Sequence, residues 1–199
     1  MTEATGSDRS IKIVSVRKAD SNDAALLFSL CRQSYIDSFA DHWNEGGLAW
    51  YLDKVYGLDV LERDLKNTRI NYFIAYYDNV PAGFMKLKFN SPLTDKINGK
   101  HMEIEKLYFL TNYQRKGLGR ELISTARHRA KDLDIEVIWL GVIDTNFSAI
   151  SFYERNGFKF FDKIRLQIPF FKDELRGMWR MILQTKEVIR NERTNEVSA

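Results

Sequence analysis

The stretch Gln114-Arg115-Lys116-Gly117-Leu118-Gly119 constrains this chain more than any other, because it joins a strand to a helix through two glycines. Upstream, Met102 to Leu110 is rich in aromatic and aliphatic residues, as a strand should be. Downstream, Leu118, Leu122, Ile123, Ala126, Ala130 and Leu133 recur at helical spacing. The first backbone N–H groups of a helix have no partner inside it, and the positive end of the helix dipole lies there too, so such a junction is a cradle for an anion. Gly117 and Gly119 carry no Cβ to keep phosphate oxygens away from the backbone, and Arg115, Lys116 and Arg120 add positive charge. The spacing excludes a P-loop, since no Gly-Lys-Ser/Thr follows. It also lacks the third glycine and acidic partner of a dinucleotide fingerprint.

A second motif, Asn146-Phe147-Ser148-Ala149-Ile150-Ser151-Phe152-Tyr153-Glu154-Arg155-Asn156-Gly157-Phe158, follows another strand, Val137 to Val142. Asn146 suits a helix N-cap and Gly157 a helix stop. The two motifs together resemble the GNAT acetyltransferase superfamily over roughly residues 11–184. The phrases Ile104-Glu105-Lys106-Leu107-Tyr108 and Trp139-Leu140-Gly141-Val142 look like its bacterial polyamine (spermidine/spermine) acetyltransferase branch. The chain departs from that branch at Ile143-Asp144, where Trp-Glu is expected after Gly-Val.

The 199 residues suffice for one domain with a sizeable core, and 44% hydrophobic with 29% charged residues describes a globular chain. A net charge of +3 is too mild to imply nucleic acid, and no basic stripe interleaved with aromatics is present. Cys31 is a single cysteine, which fits a reducing compartment. Met1 to Ser10 has no apolar signal core and no run approaches a membrane span, so a cytoplasmic location without membrane attachment is expected. His42, His101 and His128 have no ligand spacing, and no metal is expected.

The pattern predicts a strand from Ile11 to Arg17 and a helix from Asp20 to Phe39 with Ala24, Leu27, Phe28, Leu30 and Cys31 on its apolar side. A further helix from Gly46 to Lys66 is interrupted near Gly57. Strands Asn71–Tyr77 and Ala82–Phe89 are joined by the turn Asp78-Asn79-Val80-Pro81, and residues 91–100 form a loop. After the two motif units, strands close the chain near 158–166 and 178–183. Residues 1–10 read as a flexible start and 185–199 as a charged tail. The resemblance implies an α/β (α+β) domain over 11–184, with a mixed sheet of about seven strands splayed in the middle and helices on both faces.

The resemblance also implies acetyl-CoA as co-substrate. Gln114, Arg115, Lys116, Gly117, Leu118, Gly119 and Arg120 would take its pyrophosphate, and the backbone of Leu107, Tyr108 and Phe109 would pair with the pantetheine arm like an added strand. Asn146 would cap its helix, touch the pantetheine amides, or both. Tyr153 stands at the motif position of the acid that gives a proton to the departing thiolate, or else is a core tyrosine. The Leu107 N–H would meet the oxyanion. An attacking amine must lose its proton. Glu105, then Glu103, are the candidate bases, two apart on one strand and hence on one face; salt bridges to Lys86, Lys88 or Lys106 are the alternative role. Asp37 and Asp41, near Glu45 and the aromatics Tyr35, Phe39, Trp43, Trp50 and Tyr51, would hold a cationic acceptor, or else cap helix ends. A small-molecule amine, first a polyamine, is the expected acceptor. Protein N-termini or lysines are the alternative, and a CoA-binding module without turnover is the reading from another class. A monomer and a homodimer are both open.

Overall fold

The computed structural model describes residues 13–185 apart from 95, 96 and 98, so the expectations for residues 1–10 and 186–199 fall outside the described residues. Its centre is a seven-stranded mixed sheet in the order β1-β2-β3-β4-β5-β7-β6. The strands are β1 (Val14–Lys18), β2 (Ile70–Tyr77), β3 (Val80–Phe89), β4 (His101–Phe109), β5 (Val137–Ile143), β6 (Lys159–Arg165) and β7 (Gly177–Gln184). The β2–β3 turn is tighter than the sequence suggests. Only Asp78 and Asn79 make it, both at positive φ (50° and 63°), as a two-residue hairpin requires, and Val80 and Pro81 already belong to β3.

Helices α1 (Ala24–Phe39), α2 (Gly47–Tyr56) and α3 (Leu58–Lys66) cover one face. Asp20 and Asp23 form a capping box over a 3-10 turn, so α1 proper starts at Ala24 rather than Asp20. The break at Gly57 falls where the sequence places it, between α2 and α3. This face packs Leu27, Leu30, Cys31 and Tyr35 of α1, Tyr51 and Tyr56 of α2 and Leu61 of α3 against Tyr72, Ile74 and Phe84. Phe28 is not part of that core. It is 36% exposed and lies under the Arg32 guanidinium at 4.9 Å.

Helices α4 (Leu118–Asp132) and α5 (Phe147–Arg155) belong to the other face. Leu118, Leu122, Ile123, Ala126 and Ala130 pack with Ile150, Tyr153 and Phe158 over Met85, Leu87, Met102, Ile104, Ile138 and Leu140. Leu133, expected on the apolar stripe, instead follows the helix end and is 39% exposed.

Strand β4 is irregular on both of its edges. Antiparallel register against β3 runs Lys86↔Lys106 and then Leu87↔Ile104, so Glu105 is an extra residue in a β-bulge. Parallel register against β5 runs only from His101↔Val137 to Ile104↔Leu140. Beyond that pair β4 and β5 diverge, while β5 continues alongside β7 to Ile143. The sheet is splayed in its middle, and the β5-side edge of Glu105 to Phe109 has no strand partner among the described residues.

Candidate active site

The splay opens into a cleft of about 1610 Å³. Its walls are the C-terminal half of β4, the loop into α4, the end of β5, helix α5, the C-terminal turn of α1 and the β6–β7 connection. A cleft at the point where two strands part is where open sheets bind ligands.

At one end lies the glycine loop. Gly117 is the N-cap of α4 with φ +89°, and a Cβ there would meet no protein atom within 4 Å, so the space beside it is open. Among the described residues no acceptor satisfies the N–H groups of Arg115 to Gly119; the first bonded ones are those of Arg120 and Glu121, both to the Gly117 carbonyl. Five unpartnered donors at a helix start, with Arg115 and Arg120 lining the same cleft, suit a diphosphate. Gly119 lines the cleft and also has a packing role not read from the sequence. A Cβ on it would stand 2.9 Å from Phe152, so its absence lets α5 pack closely on α4. Lys116 departs from expectation. Its ammonium sits 4.8 Å and 5.0 Å from the ring centres of Tyr77 and Tyr113, and it does not line the cleft. The reason is local: Arg115 takes a positive φ of 61°, which turns successive side chains to different sides of the loop.

Gln114, Gly117, Leu118, Leu107, Tyr108, Phe109, Asn146 and Tyr153 all line the cleft. The Asn146 Oδ1 accepts from the Ala149 N–H at 3.1 Å, capping α5, and its Nδ2 has no partner among the described residues. Tyr153 is 8% exposed and packs edge-on against Phe152 and Phe158. Burial pushes its hydroxyl pKa up, so it holds its proton across the physiological range.

The carboxylates in the cleft are all engaged. Glu103 accepts from the Ser91 hydroxyl at 2.9 Å and stands 3.6 Å from the Lys88 ammonium. Glu105 has Lys86 Nζ 3.1 Å from Oε2, an ion pair whose angle is too poor for a hydrogen bond, and Lys106 Nζ 3.7 Å from Oε1. Burial works to raise the Glu105 pKa, but Lys106, Lys86 and Lys88 outweigh it and hold the carboxyl below its usual value. Asp37 accepts from the Thr111 N–H at 3.0 Å and from Gln33 Nε2 at 2.7 Å, so it ties the end of α1 to the turn after β4. Asp41 does not line the cleft.

Two features were not foreseen from the sequence. Strand alternation puts Lys106 opposite Glu105, but the bulge brings both to the same face, where Lys106 Nζ donates to the Tyr51 hydroxyl at 3.3 Å. The signal for that bulge lies in the pairing with β3, not in β4. The β6–β7 connection also forms a wall through Leu166, Ile168 and Phe171, fastened by Arg176, whose guanidinium donates to the carbonyls of Leu166 (3.0 Å), Ile168 (2.8 Å) and Phe171 (2.7 Å).

One cleft thus brings together a splayed sheet, a helix start with unpartnered N–H groups and a protonated tyrosine. The model of the acetyltransferase (GNAT) family matches residues 31–158, well over half of the chain, and the chain belongs to that family. It is thus an acetyl-CoA-dependent N-acetyltransferase. It is 26% identical over 147 residues to an uncharacterized N-acetyltransferase of Lactobacillus delbrueckii subsp. lactis, covering 74% of this chain and 83% of that one. It is 27% identical over 150 residues to a spermidine N(1)-acetyltransferase of Thermoplasma acidophilum, covering 73% and 88%. Among solved structures, the PaiA N-acetyltransferase of Thermoplasma acidophilum in complex with coenzyme A superposes with a TM-score of 0.68 at 23% identity, over 86% of this chain and 99% of that one. Among the described residues no helix is long and apolar enough to cross a membrane, and no group of His, Cys, Asp and Glu could hold a metal ion.

Proposed function

We propose that this chain transfers the acetyl group of acetyl-CoA directly to a primary amine of a small molecule. The observation that carries this reading is the placing of the open Gly117 cradle, the unpaired edge of Glu105 to Phe109 and the Tyr153 hydroxyl around one cleft. Acetyl-CoA supplies the acetyl group as an activated thioester. Arg115, Gly117, Leu118 and Arg120 bind its diphosphate, with the N–H groups of the loop as donors. Leu107, Tyr108 and Phe109 hold the pantetheine arm through their main chain, as an edge holds an added strand, and the Asn146 Nδ2 assists. The Leu107 N–H stabilises developing negative charge on the carbonyl oxygen.

Tyr153 is the acid. Its hydroxyl keeps a proton that it can give to the sulfur as the C–S bond breaks. The amine's proton passes to Glu105 or Glu103. With its pKa held low, Glu105 takes a proton only weakly from a free ammonium, so the attacking amine enters as the neutral form that has already left its first proton in solvent. Glu105 can accept a proton once the nitrogen has become acidic by bonding to the acetyl carbon. Cys31 is fully buried on α1 and plays no part as a nucleophile.

A polyamine acceptor is one finer form of this reading. It is supported by the resemblance carried by Ile104 to Tyr108 and by the relative named as a spermidine acetyltransferase. Free CoA thiol, measured with acetyl-CoA and a panel of polyamines, amino acids and N-terminal peptides, tests it. Release with small amines supports the reading, and release with peptides alone moves the acceptor to proteins. No release despite acetyl-CoA binding favours a binding module.

A further inference from the structure

Four charges, buried or half-buried, form a row across the sheet: Asp64, Lys86, Glu105 and Lys106. Lys86 Nζ stands 2.7 Å from Asp64 Oδ2 and 3.1 Å from Glu105 Oε2, and Lys106 Nζ stands 3.7 Å from Glu105 Oε1. The Tyr72 hydroxyl donates to Asp64 Oδ2 at 3.0 Å and closes the far end. The row is neutral in sum, but its order matters. Its negative end, Asp64 of α3, is buried, and its other end, Lys106, lines the cleft beside Glu105.

The Lys106 ammonium is incompletely satisfied. An ammonium has three donors. One goes to Tyr51, and Glu105 at 3.7 Å is beyond hydrogen-bond reach. Around it the cleft wall is aromatic, from Tyr35, Phe39, Tyr51 and Tyr108. The acids of the cleft already have partners: Asp37 a backbone N–H and Gln33, Glu103 Ser91 and Lys88, Glu105 the ammonium groups of Lys86 and Lys106. A polycationic acceptor would bring a second positive charge towards Lys106. An acceptor bearing a carboxylate would supply what the ammonium lacks.

We propose that Lys106 reads a carboxylate on the acceptor, so that the substrate is an amino acid-like amine rather than a polyamine. This deepens the small-amine reading and rests on it.

L-Lysine and cadaverine test it, because they share one carbon chain and two amines and differ only in the carboxylate. In steady-state assays with acetyl-CoA, kcat/KM for lysine should exceed that for cadaverine about tenfold or more, the size of a charge-assisted hydrogen bond. Lys106→Met should bring the ratio near one, and Lys106→Arg should keep much of the preference. Equal or better use of cadaverine by the unaltered enzyme overturns the proposal, as does a preference that survives Lys106→Met in a variant with an unchanged melting profile. Should Lys106→Met not fold, the unaltered enzyme's ratio decides. Calorimetry of the CoA complex with Nε-acetyllysine and N-acetylcadaverine separates this inference from the acetylation reading. Preferential binding of Nε-acetyllysine without turnover of any amine sinks the reading and keeps the carboxylate site. Turnover of amines without preference does the reverse.

Discussion

Phe152 occupies the space that Gly119 leaves empty: a Cβ on Gly119 would stand 2.9 Å and 3.1 Å from two ring carbons of Phe152. The contact fixes the start of α4 against α5, and so sets the glycine cradle relative to Tyr153, the next residue along. Glycine at 119 is thus a packing requirement between two helices that line one cleft.

Gly119→Ala should destabilise the fold by about 1–3 kcal/mol, the cost of overpacking a tight contact. Phe152→Leu should make the two changes non-additive. A denaturant-unfolding double-mutant cycle measures the coupling, with at least about 0.5 kcal/mol expected for residues in direct contact.

Gly117 acts differently. Nothing in the protein meets a Cβ there, yet its φ of +89° disfavours any side chain. Gly117→Val should cost about 1 kcal/mol or more of stability through backbone strain. It should also weaken acetyl-CoA binding at least tenfold, because the branched side chain fills the space beside the unpaired N–H groups. Calorimetric titration with acetyl-CoA checks this. Unchanged affinity would mean that the diphosphate does not lie against Gly117.

Stability should fall at acid pH for a definable reason. Arg17 holds the Asp23 carboxyl below its usual value through hydrogen bonds of 2.6 Å and 2.7 Å. Arg180 does the same for Asp162, and the lysines for Glu105. A carboxyl whose pKa is lower folded than unfolded stabilises the fold above its unfolded value, 3.8 for Asp and 4.5 for Glu. That contribution is lost as pH falls through the folded value. The melting temperature should be flat from about pH 8 to 5 and drop below about pH 4, and Asp23→Asn should shrink the drop.

Much of the fold was legible because its punctuation is local. Asp78-Asn79 marks a hairpin, Gly57 a break between helices, and Asn146 with Gly157 the two ends of α5, each by backbone chemistry within a few residues. The lining of the cleft was legible along Leu107 to Phe109 and at Gly117. It was not legible where a side chain's direction depends on distant pairing. The bulge at Glu105 is set by β3 and turns Lys106 into the cleft against strand alternation. Lys116 leaves for Tyr77 and Tyr113. Asp37 accepts from the Thr111 N–H, 74 residues on, a partner that no local pattern marks. The wall made by Ile168 and Phe171 comes from a connection with no motif, shaped by Arg176 bonding three carbonyls.

Direct transfer with Tyr153 as the acid stands or falls on Tyr153→Phe, which removes one hydroxyl and keeps the ring packed between Phe152 and Phe158. Acetyl transfer and acetyl-CoA affinity should be measured on the same preparation between pH 6 and 10. The expected outcome is a fall in kcat of about 10²- to 10⁴-fold with the dissociation constant for acetyl-CoA unchanged. The unaltered enzyme should show no alkaline decline over that range, since burial holds the Tyr153 pKa above its ordinary value. A variant that acetylates amines at the unaltered rate would contradict the acid role, and Tyr153 would then be a packing residue.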